Sequence, residues 1–163
     1  MKQELQIIGF DFSGSGNETF YSYNPVEQIN TGYLFHKATP DEVNYAVEKA
    51  AAAFQVYRKK SGTEKAFFLE TIAEELLNAG DELVSVCINE TGLPQTRIEG
   101  ERMRTVNQLK MFAALLKEGS WVDARIDTAV PERTPLPKPD LRFMQIPLGP
   151  VVVFGASNFP LFN

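Results

Sequence analysis

Pro147-Leu148-Gly149-Pro150-Val151-Val152-Val153-Phe154-Gly155-Ala156-Ser157-Asn158-Phe159-Pro160 is the stretch on which the fold turns. Val151 to Phe154 is a continuous apolar run opening after Gly149-Pro150, the pattern of a strand buried on both faces of a parallel sheet. Gly155-Ala156-Ser157-Asn158 then brings small and polar residues to the strand's carboxyl end, where open α/β sheets place their ligands. Such a strand needs neighbours, and the residues after it, Phe159 to Asn163, form an apolar end without a closing element. The expectation is a truncated α/β protein. For Asn158 the residues leave two readings open: a turn asparagine bonding its own backbone, or a polar group at a ligand edge.

Upstream of this segment the periodicity is helical. Thr39-Pro40-Asp41-Glu42 combines a side-chain cap, a proline at the first helical position and a glutamate three residues after the cap. Val43, Ala46, Val47, Ala50, Phe54 and Tyr57 follow at helical spacing. Ser61 and Glu64 repeat the capping box, and Leu69, Ile72, Ala73 and Leu76 carry a second helix to Gly80. A third runs from about Asp81 to Glu90 and stops at Thr91-Gly92-Leu93-Pro94. Thr96 with Glu99 is expected to cap a fourth, carried by Val106, Leu109, Ala113 and Leu116 to Gly119.

Before the helices, Leu5 to Phe10, Phe20 to Tyr23 and Gly32 to Phe35 read as three strands of a small antiparallel sheet. Ser13 to Asn17 is expected to be the hairpin turn, and Asn24-Pro25 a second bend. After the helices, Trp121 to Ala129 alternates loosely, the prolines of 131–139 impose an irregular crossing, and Leu141 to Ile146 reads as a strand. Residues 1–148 thus form a helical region with β-strand arm segments, and residues 149–163 a strand and turn of a following domain.

Composition narrows the function classes. The 163 residues carry 16 basic and 21 acidic side chains, a net charge of −5, which argues against a surface that tracks phosphates and against anionic membranes. Neither a signal peptide nor a spanning helix is read at the amino end, so a cytoplasmic soluble protein is expected. One cysteine, Cys87, excludes an internal disulfide; within a helix between Val86 and Ile88 it reads as a small buried hydrophobe. His36 has no partners at ligand spacing, so no metal site is expected. Gly14-Ser15-Gly16 lacks the strand and helix that flank a phosphate loop.

The segment Pro147 to Pro160 resembles the aldehyde dehydrogenase superfamily, in which Asn-Phe-Pro follows the first strand of the nicotinamide-cofactor domain. Asn24-Pro25, the helix ending Asn89 to Pro94, and the Phe112-Ala113 helix with its proline-rich sequel resemble that family's amino-terminal half in order and spacing. The commoner pattern has Pro-Trp before Asn-Phe-Pro. Ala156-Ser157 in that place, with Arg104-Thr105 and Gln108-Leu109 upstream, resembles the branch of α-ketoglutaric semialdehyde (2,5-dioxovalerate) dehydrogenases.

The resemblance implies an α/β fold: a β-hairpin arm, four helices and the start of a Rossmann-like parallel sheet. It implies oxidation of a short carboxylate-bearing aldehyde through a cysteine thiohemiacetal, with NADP or NAD as cofactor and a homo-oligomeric, dimeric or tetrameric, intact enzyme. Carried over residue by residue, it makes Asn158 the amide that stabilises the oxyanion. Phe154, Gly155, Ala156 and Ser157 become the backbone beside the cofactor ribose, and Phe159 an aromatic of the substrate tunnel. Arg104 is placed near the tunnel wall, where a guanidinium would meet a substrate carboxylate; a solvated or ion-paired Arg104 is the other reading. The nucleophilic cysteine, the general-base glutamate and the ribose-contacting lysine fall beyond Asn163 in this pattern, so the chain by itself is expected to be inactive. A rival from another class is a non-catalytic helical binding or assembly module.

Overall fold

The computed structural model describes residues 2–156 and 158–161. Strands β1 (Lys2–Glu4), β2 (Gln6–Ile8), β3 (Asp11–Ser13), β4 (Thr19–Asn24) and β5 (Ile29–His36) come first. Helices α1 (Pro40–Tyr57), α2 (Gly62–Asn78), α3 (Gly80–Thr91) and α4 (Gln95–Glu118) follow, and a 3₁₀ turn at Ser120–Val122 leads into β6 (Arg125–Asp127) and β7 (Leu141–Phe143).

The arm differs from the expected antiparallel sheet in two ways. β4 and β5 do pair antiparallel, with Phe20 and Phe35 opposite each other and stacked at 5.4 Å, but β1 lies on the other side of β5 and runs parallel to it. A parallel neighbour needs a crossover, which β2 to β4 supply. The first hairpin also turns earlier than expected, between β2 and β3 at Gly9, whose φ of +66° suits a residue without a side chain. Ser13 and Ser15 instead dock against α1. Glu42 accepts hydrogen bonds from the Ser13 hydroxyl, the Ser15 N–H (3.0 Å) and the Thr39 N–H (2.8 Å). The expected cap of α1 therefore also ties the arm to the helices. Asn24 closes the β4–β5 bend by accepting from the N–H groups of Val26 and Glu27, and its amide donates to Asn89 on α3 at 2.7 Å.

Both expected capping boxes, Thr39 with Glu42 and Ser61 with Glu64, are formed. The Thr96 cap is not. Pro94 holds the N-cap position in extended conformation, so α4 starts one residue before Thr96, and Glu99 accepts from the Gln95 amide instead. Helices α2 and α4 pack through small residues seven apart, Ala66 and Ala73 on one and Val106 and Ala113 on the other, all without solvent exposure. Lys117 pairs with Glu70 at 2.6 Å, and Gly62 lies against the Leu116 carbonyl, so the two helices run antiparallel. A second core joins Val84 and Cys87 of α3 to Ile98 of α4, with Leu83, Ile88, Leu93 and Leu161 packed around them.

Val151 to Phe154 forms no strand, and its side chains are 69–89% exposed. An extended segment without a backbone partner gains no ladder hydrogen bonds, and the described residues offer it none. Pro150, Val151 and Val152 instead line an open cavity of about 450 Å³ with Ile7, Ile8 and the α1 stripe of Val43, Ala46, Val47 and Ala50.

Candidate functional site

The site is built where α3 ends and α4 begins. Gly92 closes α3 in the left-handed conformation, φ +68°, and an added side chain there would press on Val26 and Pro25. Thr91 donates its hydroxyl to the Cys87 carbonyl and accepts the Leu93 N–H, a tight corner that sets the first turn of α4 beside the end of α3. Against this corner lies the segment 158–161. Glu90, Thr91, Leu93, Arg97, Asn158 and Phe159 enclose a cavity of about 470 Å³.

Arg97 organises the contacts. Its Nη2 donates to the Asn158 carbonyl at 3.0 Å, its Nε to Glu101 Oε1 at 2.7 Å, and its guanidinium carbon lies 4.8 Å from the Phe159 ring centre. Glu101, one turn further on, is 5% exposed. Its second carboxylate oxygen accepts the Leu161 N–H at 3.5 Å, and Thr105 donates its hydroxyl to the Leu161 carbonyl. Arg97, Glu101 and Thr105 are spaced at i, i+4 and i+8, so one face of α4 grips the main chain at 158 and 161. The segment enters this grip through a turn closed by the Phe159 N–H on the Ala156 carbonyl, 3.2 Å.

Asn158 and Phe159 thus share one cavity. Phe154, Gly155 and Ala156 precede it on an exposed stretch, and Ser157 lies outside the described residues. Arg104 is not brought into that cavity. It lines a separate hollow of about 400 Å³ with Gly100, Met103, Asn107, Gln108 and Met111. From sequence, Arg97 reads like Arg104 as solvated or paired with Glu99 or Glu101; the pair with Glu101 forms, and the reach to Asn158 is what that reading does not contain. One signal was available: a cation in the first turn of a helix opposes the macrodipole, and α4 has no acidic residue there to offset it.

Burial pushes the Cys87 thiol up, and the carboxylates of Glu90 and Glu101 push it further, so its thiolate is disfavoured. Among the described residues no three His, Cys, Asp or Glu side chains are grouped to hold a metal ion, and no helix is long and apolar enough to cross a membrane.

The model of the aldehyde dehydrogenase family matches residues 12–163. The chain belongs to that family. It is 50% identical over 156 residues to an alpha-ketoglutaric semialdehyde dehydrogenase of Acinetobacter baylyi, covering 96% of this chain and 30% of the relative. It is also 50% identical over 157 residues to alpha-ketoglutaric semialdehyde dehydrogenase 2 of Azospirillum brasilense, covering 95% and 30%. Among solved structures, an NAD-dependent benzaldehyde dehydrogenase from Corynebacterium glutamicum superposes with a TM-score of 0.69 at 22% identity, over 80% of this chain and 27% of that one. A betaine aldehyde dehydrogenase from Staphylococcus aureus superposes at 0.68 and 18% identity, over 77% and 25%. These structures share the fold. The chain spans about 30% of the length of the curated relatives it matches, the amino-terminal part of the aldehyde dehydrogenase fold.

Proposed function

We infer that this chain is the amino-terminal part of an NAD(P)-dependent aldehyde dehydrogenase that oxidises a short aldehyde carrying a carboxylate, of the α-ketoglutaric semialdehyde type, to the acid. The observation that carries this reading is the 50% identity to two proteins of that name over nearly the whole chain. In this reading Asn158 donates its side-chain amide to the former carbonyl oxygen, which becomes negative when a cysteine thiolate adds to the aldehyde carbon. A donor aimed at that charge acts mainly in the transition state. In this reading the thiolate comes from outside these 163 residues, since Cys87, their one cysteine, is buried with its thiol pushed up, and the general base is assigned outside them as well.

Phe159 supplies an apolar wall next to Asn158. Arg104, in its own hollow on α4, is the group proposed to meet the far carboxylate, through the paired N–H groups that a guanidinium presents. For the cofactor, Phe154 to Ala156 are exposed and have small residues at 155 and 156, a backbone open enough to lie beside a ribose; Ser157 is assigned with them. The nicotinamide, when bound, accepts the hydride of the aldehyde carbon.

The test is turnover by the full-length protein. It should reduce NAD(P) with α-ketoglutaric semialdehyde at a higher kcat/KM than with an uncharged aldehyde of equal length. Arg104→Ala should abolish that preference by raising KM for the acidic substrate alone, by the equivalent of about 1.5–3 kcal/mol, the worth of a charged hydrogen bond. No preference for the acidic aldehyde in the unaltered enzyme would refute the substrate assignment. Equal losses on both substrates would return Arg104 to a supporting role.

A further inference from the structure

We propose that Arg97 is a positioning residue for Asn158: by gripping the Asn158 carbonyl and the Phe159 ring from the first turn of α4, it aims the amide that meets the oxyanion. The proposal rests on the reading of Asn158 given above. Three contacts of different kind converge on one guanidinium, a hydrogen bond to the Asn158 carbonyl at 3.0 Å, a face contact with Phe159 at 4.8 Å and an ion pair with Glu101 at 2.7 Å. Because a guanidinium is planar and its N–H groups diverge in fixed directions, holding Glu101 with Nε fixes where Nη2 points. Glu101 is itself immobilised, being 5% exposed within α4.

The helix dipole does not favour an arginine here. A cation beside unpaired N–H groups is disfavoured at a helix start, and with no acidic side chain in the first turn of α4 its offset comes from Glu101, one turn further on. A residue that breaks a local rule while reaching 61 positions along the chain to a main-chain carbonyl points to a role in that distant segment. The grip is also two-ended. Leu161 is held by Glu101 and Thr105, so the chain on both sides of Phe159 is tied to one rigid helix. Oxyanion donors work by being placed in advance, and a displacement of about 1 Å costs on the order of 10²-fold in rate.

The experiment uses the full-length enzyme and four variants: Arg97→Met, Arg97→Lys, Asn158→Ala, and Arg97→Met with Asn158→Ala. Single-turnover NAD(P)H formation, KM for the aldehyde and the Kd of the cofactor are measured for each. Arg97→Met should lower the rate of the chemical step by about 10-fold to 100-fold with cofactor Kd unchanged, while the double variant is no slower than Asn158→Ala alone, because the arginine acts only through the amide. Arg97→Lys keeps a cation against the Glu101 carboxylate without the fixed fork. It should fold even where Arg97→Met does not, and should lose about half of the effect on a logarithmic scale. Multiplicative losses in the double variant, or an Arg97→Lys enzyme as fast as the unaltered one, would overturn the proposal. If Asn158→Ala leaves the chemical step unchanged, the reading of Asn158 fails and the proposal falls with it. If Asn158→Ala is slow and both Arg97 variants are fast, the proposal alone fails.

Discussion

Replacing Gly62 by alanine should weaken the fold, although a helix ordinarily gains from that change. Alanine inside a helix is favoured over glycine by about 1 kcal/mol or less. At Gly62, the first residue of α2, the added Cβ would stand 3.3 Å from the carbonyl carbon of Leu116 on α4 and inside contact distance of its oxygen. Both are backbone atoms and neither can swing aside. Separating the helices would open the seam between Ala66, Ala73, Val106 and Ala113, all at 0% exposure. Overpacking of this kind costs about 1–3 kcal/mol, so the net loss should be about 1–2 kcal/mol. Gly100, in the second turn of α4, has nothing within 4 Å of its added Cβ and serves as the control. Gly100→Ala should stabilise by about 0.5–1 kcal/mol. Urea and thermal unfolding followed by circular dichroism read both, with Tm moving about 2–4 °C per kcal/mol for a chain of this size. The two variants should shift in opposite directions. A Gly62→Ala chain stabilised as much as Gly100→Ala would mean that α2 and α4 do not approach through Gly62.

The docking of the arm on α1 should depend on pH. Hydrogen bonds from the Ser13 hydroxyl and from the Thr39 and Ser15 N–H groups hold the Glu42 carboxyl at about 2, against an ordinary 4.5. Because the folded value is the lower one, the stabilisation is complete above pH 4.5 and is lost as pH falls from there towards 2. The urea midpoint of the unaltered chain should drop across that window more steeply than that of Glu42→Gln, and parallel pH profiles would contradict the assignment. Cys87, buried on α3 with its thiol pushed up, should react with a thiol reagent only as the chain unfolds, so modification in native buffer should follow the unfolding equilibrium; labelling as fast as in urea would place Cys87 outside the core.

Local chemistry was the legible part of this fold. Thr39 with Glu42, Ser61 with Glu64 and the glycines at 92 and 119 act within a few residues of themselves, and the structure uses them as read. Thr96 misled because Pro94, two residues earlier, already supplied an extended N-cap. What depended on distant partners was not legible. The parallel pairing of β1 with β5 joins Lys2 to Tyr33, far apart in the chain, and Val151 to Phe154 has the composition of a buried strand but, among the described residues, no neighbouring strand to complete it. At the site, the Asn-Phe-Pro motif pointed to Asn158 and Phe159, and these do share a cavity. Arg97 was missed because its partner lies 61 positions away, a separation that no periodicity encodes.

The reading of Asn158 as the oxyanion donor is the centre of this account, and one comparison tests it most directly. Full-length enzyme and its Asn158→Ala variant are assayed for NAD(P)H formation from α-ketoglutaric semialdehyde, with cofactor Kd measured in parallel. The account predicts that kcat falls by about 10²-fold to 10³-fold, the loss typical of removing one such donor, while cofactor Kd stays unchanged. An unchanged kcat would contradict it and leave Asn158 as a residue of the turn that begins at Ala156.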